Sequence, residues 1–321
     1  MEDLTFIEPV KDRLQLVEER LHDQAKGFHP AMEAALEHLL SSGGKRIRPV
    51  LTLLTGGLLG TELQRLVAMA AAVEMLHTAT LVHDDLIDGS LMRRGIPTLN
   101  TQWTSPATVL TGDFLFARAA KLAAETESVT AMNLFAQTLA IIVDGEITQM
   151  FGDRGYASRA DYNRRIYAKT ASLFETSTTA TAIIANSDEE TKEKVRLYGY
   201  EVGMAFQIVD DVLDFTSQTE KLGKPVASDL RQGLITLPAL YYIESYPGDL
   251  DMASVIEHDP CDEGCLERLL TAIRESGSIE KALNEADQHI DLAINALSSL
   301  PDCIERLSLI ELARYIVHRK V

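Results

Sequence analysis

Cysteine, positive charge and long apolar runs are all scarce in this chain of 321 residues. Of its three cysteines, Cys261 and Cys265 stand close together in HDPCDEGC, with His258 nearby. A zinc site usually shows two such pairs, and no second pair follows. The reading is a loop and a helix start in a reducing compartment. Lys and Arg number 30 against 48 Asp and Glu, a formal net charge of −18. That balance argues against nucleic acid and anionic membrane surfaces as partners. An anionic ligand would need local cations or metal ions to reverse the sign. The most apolar run, LVAMAAAVEMLHTATLV, is interrupted by Glu74 and His77, so no membrane span is expected. The opening MEDLTFIEPV is acidic and lacks a basic segment ahead of an apolar one, so no signal peptide is expected and the chain reads as cytoplasmic. No Pro/Gly/Ser-rich linker, short repeat, low-complexity tract or heptad run divides the sequence, which reads as a single domain over 1–321.

What is present is helix. Ala, Leu, Glu, Arg and Met are abundant, apolar residues recur at three- and four-residue steps, and alternating strand patterns are few. Breakers such as SSGG, GIPT, YPGD and ESGS separate segments of helical length. The clearest run over about 61–88, 188–215 and 279–297, the first with an Ala-rich half that suits close helix neighbours or a ligand. The fold reading is all-α, many helices around one core.

Chemistry concentrates in LVHDDLIDGSLMRRG. Residues i and i+4 share a helix face, so Asp84 and Asp88 project together with Asp85 beside them. The pattern returns in FQIVDDVLDF as Asp210, Asp211 and Asp214. A lone pair of aspartates is usually a solvated helix end, but each of these triads ends an apolar helical run. Three carboxylates there repel one another without a cation between them. Two DDxxD clusters are expected to form two carboxylate walls across a cavity. Oxygen donors without His or Cys favour Mg²⁺, which takes few carboxylates and completes its shell with water and phosphate oxygens.

Cations follow the same logic. SSGGKRIRP places Lys45, Arg46 and Arg48 after a glycine pair, where backbone can approach an anion and arginine forks match phosphate. Basic residues opening a helix oppose its macrodipole, which strengthens the anion reading. Arg93 and Arg94 stand where a loop would fold back over the first cluster. Lys169 and Thr170 precede a helix-like segment, and Lys221 and Lys224 follow the second cluster.

With these landmarks, and with GDFLFARA, DGEITQ, KTASLF, GKPVASDL and TLP in order between GGKRIRP and LARYIVHRK, the sequence resembles the trans-isoprenyl diphosphate synthases, or polyprenyl synthetases, over most of its length. The resemblance implies mostly antiparallel helices around a deep central cavity, and three Mg²⁺ ions between the clusters. Asp84, Asp88 and Asp210 would be the main ligands, and Asp85, Asp211 and Asp214 would act directly or through water. Arg93, Lys169 and Lys224 would hold the allylic diphosphate. Lys45, Arg48, His77 and Arg94 would hold the diphosphate of isopentenyl diphosphate, and Gln207 and Thr170 would place dipoles near the developing cation. Leu234 stands where many members carry a lysine, a missing phosphate contact for which Lys221, Lys224 or Arg231 would compensate. Small residues at Ala79 and Thr80, one turn before Asp84, point to a long all-trans product of the octaprenyl type that supplies quinone side chains. Met75 and Leu76, or Leu139 and Ile142, would set a deeper floor, and a geranylgeranyl or farnesyl product is the alternative. The family is usually homodimeric. A terpene cyclase would leave GGKRIRP unexplained and usually carries a different second metal motif. A non-catalytic subunit of a heteromeric synthase tends to lose aspartates that this chain keeps.

Overall fold

The computed structural model describes residues 4–41, 43–151, 158–216, 226–257 and 262–318. Among them, helices α1 (Lys11–His22), α2 (Pro30–Ser41), α3 (Ile47–Leu59) and α4 (Leu63–Ile87) lead to a short hairpin, β1 (Met92–Arg93) with β2 (Ile96–Pro97). Then come α5 (Leu99–Gln102), α6 (Ser105–Ala124), α7 (Val129–Phe151), α8 (Arg159–Ile166), a π turn (Tyr167–Ala171), α9 (Ser172–Ile184) and α10 (Glu189–Thr216). The remaining helices are Ser228–Arg231, Leu237–Ser245, Leu250–Glu257, Glu263–Glu275, Ser278–Ala296 and Ile304–His318. The all-α expectation holds. The hairpin, antiparallel with Met92 opposite Pro97 and Arg93 opposite Ile96, is the only sheet among the described residues.

The chain groups into two compact units. One comprises Met1–Leu139, Leu173–Gly199 and Ala296–Leu312. Its centre is α4, buried on every side from Leu66 to Leu76 and packed against α6, α3 and α1. A helix apolar all round is a core helix. Glu62 caps it by accepting from the backbone N–H groups of Gln64 and Arg65. Gly89, at φ +61°, ends it: the Gly89 N–H reaches the Leu86 carbonyl and the Ser90 N–H the Asp85 carbonyl, a Schellman closure. Contrary to the expectation above, α4 is long and apolar enough to cross a membrane, but 72% of its apolar window is buried inside the fold. Glu74 is tolerated there because Arg46 holds it at 3.0 Å while also pairing with Glu18.

The other unit comprises Ala140–Ser172, Tyr200–Asn295 and Ala313–Val321. The second half of α7 lies against the π turn, where Gly145 leaves no room for a side chain: a Cβ would stand 2.6 Å from that of Ala168. Arg159 and the Tyr241 hydroxyl both hydrogen-bond Glu285, tying α8 to Leu237–Ser245 and Ser278–Ala296. Cys265, buried where Asp262 caps the Glu263–Glu275 helix, takes part in a disulfide, which corrects the expectation of a reduced thiol. Its predicted companions His258 and Cys261 lie outside the described residues.

Candidate active site

In the first unit the aspartates occupy the C-terminal end of α4: Asp84 and Asp85 in the last turn and Asp88 at the cap. Carboxylates are least favoured there, because the macrodipole is negative and free carbonyls crowd the end. The three are not equivalent. Asp85 is 6% exposed and is gripped by Arg93, whose Nε lies 2.9 Å from both oxygens and whose Nη2 lies 2.8 Å from Oδ1. Arg93 is carried back to the helix by β1, as the loop reading anticipates. Asp84 is part-exposed and Asp88 exposed.

Four of the predicted arginines lie near His77, two turns before Asp84 on α4. The His77 imidazole is held well below its ordinary pKa, first by burial and then by the charges of Arg48, Arg94, Arg93 and Arg46. It is therefore neutral at physiological pH and offers one donor and one acceptor among guanidinium groups. Two of these arginines are seated by specific partners. Arg48 lies over the Phe174 ring at 4.7 Å. Arg94, itself left-handed at φ +50°, donates to the Gly43 carbonyl at 2.5 Å, and its guanidinium fills the space a Cβ on Gly44 would need. The glycine pair is thus used to admit an arginine. Arg46 is a structural residue, committed to Glu18 and Glu74. Lys45 is exposed on the same loop.

In the second unit the other triad likewise lies in the last two turns of α10. Its middle member is again pinned. Asp211, 4% exposed, accepts from the Tyr162 hydroxyl and from Gln207 Nε2, each at 2.8 Å. Burial, and then the Asp229 carboxylate, push its pKa up to about 7. Tyr162 is raised in turn by burial and by Asp211, so it stays a donor. Thr170 Oγ1 donates to Gln207 Oε1 at 2.6 Å, which extends the chain of bonds to the π turn. Lys169 on that turn pairs with Glu146 of DGEITQ at 3.1 Å. Asp214 accepts from the backbone N–H groups of Ser228 and Asp229 and from the Ser228 hydroxyl, and so anchors the Ser228–Arg231 turn. Asp210 is part-exposed.

The six carboxylates differ in setting: Asp85 and Asp211 are buried and held by protein donors, Asp214 is part-exposed and anchors the Ser228–Arg231 turn, Asp84 and Asp210 are part-exposed, and Asp88 is exposed. No group of three or more His, Cys, Asp or Glu side chains among the described residues is arranged to hold a metal ion. The donor set nonetheless suits Mg²⁺, which uses one or two carboxylates together with substrate phosphates and needs no all-protein cage. Arg231 is committed to Glu263 through two 2.6 Å contacts and so does not replace the missing lysine at Leu234. Lys221 and Lys224 lie outside the described residues. Ala79, Met75 and Leu76 are fully buried, Thr80 bonds back to the His77 carbonyl, Leu139 is half-buried and Ile142 buried. Sequence reasoning missed Tyr162, Phe174 and Glu146. Phe174 and Glu146 fall inside KTASLF and DGEITQ, whereas Tyr162 is marked only as the lone aromatic in the charged run RADYNRRI.

The family model "Polyprenyl synthetase" matches residues 29–273. The octaprenyl diphosphate synthase of Haemophilus influenzae is 35% identical over 95% of this chain and 94% of its own. Heptaprenyl diphosphate synthase component 2 of Bacillus subtilis is 35% identical over 97% of this chain and 89% of its own. Among solved structures, a polyprenyl synthase from Caulobacter crescentus, complexed with calcium and isoprenyl diphosphate, superposes with a TM-score of 0.92 at 36% identity, covering 98% and 97% of the two chains.

Proposed function

Because the chain belongs to the polyprenyl synthetase family and is a prenyltransferase of the all-α isoprenoid synthase fold, we propose that it condenses isopentenyl diphosphate with an allylic diphosphate, farnesyl or geranylgeranyl, to give a long all-trans polyprenyl diphosphate. One observation carries the reading: two aspartate triads each close a long helix at its dipole-negative end, with the middle residue of each buried. Such a placement costs stability unless a cation is bound.

Bound Mg²⁺ would neutralise charge on the leaving diphosphate and so favour ionisation of the allylic C–O bond. Asp84, Asp88 and Asp210 would be its carboxylates, while the Arg93 and Tyr162/Gln207 clamps keep Asp85 and Asp211 from swinging. Lys169 and Arg93 would take the remaining charge of the allylic diphosphate. Arg48, Arg94, Lys45 and neutral His77 would hold isopentenyl diphosphate with its double bond beside the forming cation, an arrangement that makes the attack effectively unimolecular. Thr170 Oγ1 and Gln207 Oε1 would direct dipoles at that cation. No side chain acts as a nucleophile, and the released diphosphate would accept the proton. Chain length follows from Ala79, which sets no aromatic floor below the first cluster. The homodimeric, single-domain and cytoplasmic setting belongs to the same proposal.

The Bacillus subtilis relative, a component 2, favours a second reading, that this chain is one part of a two-component synthase. Assay of the purified chain alone with Mg²⁺ and both diphosphates separates the two. Elongation supports the self-sufficient enzyme, and elongation only after a second protein is added supports the other.

A further inference from the structure

The motif GDFLFARA lies on α6 and is not accounted for by any substrate role above. Its side chains divide between two neighbours. Phe114 meets the Phe28 ring edge-on at 5.0 Å, and Arg118 lies over the same ring at 5.2 Å while donating to Gln24. Gly112, Asp113 and Phe116 of the motif meet another residue, His83. A Cβ on Gly112 would overlap the His83 ring. Phe116 meets that ring edge-on at 5.2 Å, and Asp113 Oδ1 lies 3.7 Å from Nε2. Nε2 is also 3.2 Å from the Val109 carbonyl, one turn back on the same face of α6.

His83 immediately precedes Asp84. The last turn of α4 is therefore held on two sides, by His83 seated on α6 and by Asp85 clamped to Arg93 of the hairpin. Asp84 lies between these two anchors and Asp88 one turn beyond. We infer that His83, through its socket at Val109, Gly112, Asp113 and Phe116, is the positioning residue that sets the direction of Asp84 and Asp88. It touches no substrate. It acts by fixing the rotation of the turn that presents the carboxylates, as outer-shell groups do for metal ligands. The inference rests on the synthase reading above.

A double-mutant cycle with Gly112→Ala and His83→Ala tests it, using calorimetric Mg²⁺-dependent binding of farnesyl thiodiphosphate, whose C–S bond does not ionise, and thermal melting of each variant. Gly112→Ala forces the ring out of its socket and is expected to weaken binding by about tenfold or more, the scale of outer-shell losses. His83→Ala weakens it as well, and the double variant is no worse than His83→Ala alone, because the added methyl then has nothing to displace. The KM for isopentenyl diphosphate stays within about twofold, since Lys45, Arg48, His77 and Arg94 are not part of the His83 socket. Binding as tight as in the unsubstituted protein in His83→Ala, or losses that simply multiply in the double variant, overturns the inference. If Gly112→Ala does not fold, His83→Ala alone still decides it. Failure of the unsubstituted protein to bind the analogue at all overturns the synthase reading and this inference with it.

Discussion

Asp85 and Asp211 occupy matched positions in two separate DDxxD sequences, and each is tied to protein donors, one by a guanidinium fork and the other by a phenol and an amide. Their substitution should differ from that of their neighbours. Asp84→Asn removes a part-exposed carboxylate, and is expected to lower kcat by about 10²-fold or more, the usual loss of one electrostatic group. Asp85→Asn leaves Arg93 without its partner, and is expected to cost about 1–3 kcal/mol of stability, less than a fully buried pair because Arg93 is part-exposed. Urea melts beside steady-state kinetics check both. The DDxxD spacing makes the residue types legible, but not the donors that hold the two middle residues, which depend on where the hairpin returns Arg93 and on Tyr162 from a distant helix. His77 makes a further residue-scale prediction. Its folded pKa lies below the unfolded value of 6.5, so the unfolded chain binds a proton first as pH falls. Its contribution to stability is complete above the unfolded value and is lost as pH drops from there toward the folded value. Melting temperature should fall further between pH 7 and 5.5 in the native sequence than in His77→Gln. Equal falls would show that His77 is not the buried neutral base.

At the scale of elements, helix limits were readable because periodicity and breakers agree. The spans expected at 61–88, 188–215 and 279–297 are found at Leu63–Ile87, Glu189–Thr216 and Ser278–Ala296. The π turn at Tyr167–Ala171 was not readable, because one extra residue in a helical turn leaves no compositional mark. It presents Lys169 and Thr170, and Gly145 allows α7 to approach it. Gly145→Ala should therefore push the turn away through Ala168, lower stability by about 1–3 kcal/mol as overpacking does, and raise the KM for the allylic substrate. An unchanged KM would separate the turn from substrate binding. Along α4, Ala79→Tyr should shorten the product distribution if the tail runs beside that face, as chromatography of dephosphorylated products would show.

For the whole molecule, a net charge of −18 opposes the approach of diphosphates, so under the proposed function their binding would depend on the local arginines around His77 and on metal ions. The composition conveyed the need for such a reversal, and the motifs its position. What it did not convey is which cations are already engaged: Arg46 is paired with Glu18 and Glu74, Arg231 with Glu263, and both are structural. The central claim is that this chain joins isoprene units in a Mg²⁺-dependent manner. The most direct test is to incubate the purified protein with labelled isopentenyl diphosphate and farnesyl diphosphate, with Mg²⁺ or with a chelator, and to resolve the dephosphorylated products by length. The account predicts a Mg²⁺-dependent ladder ending beyond geranylgeranyl. Folded protein that extends no allylic primer would contradict it.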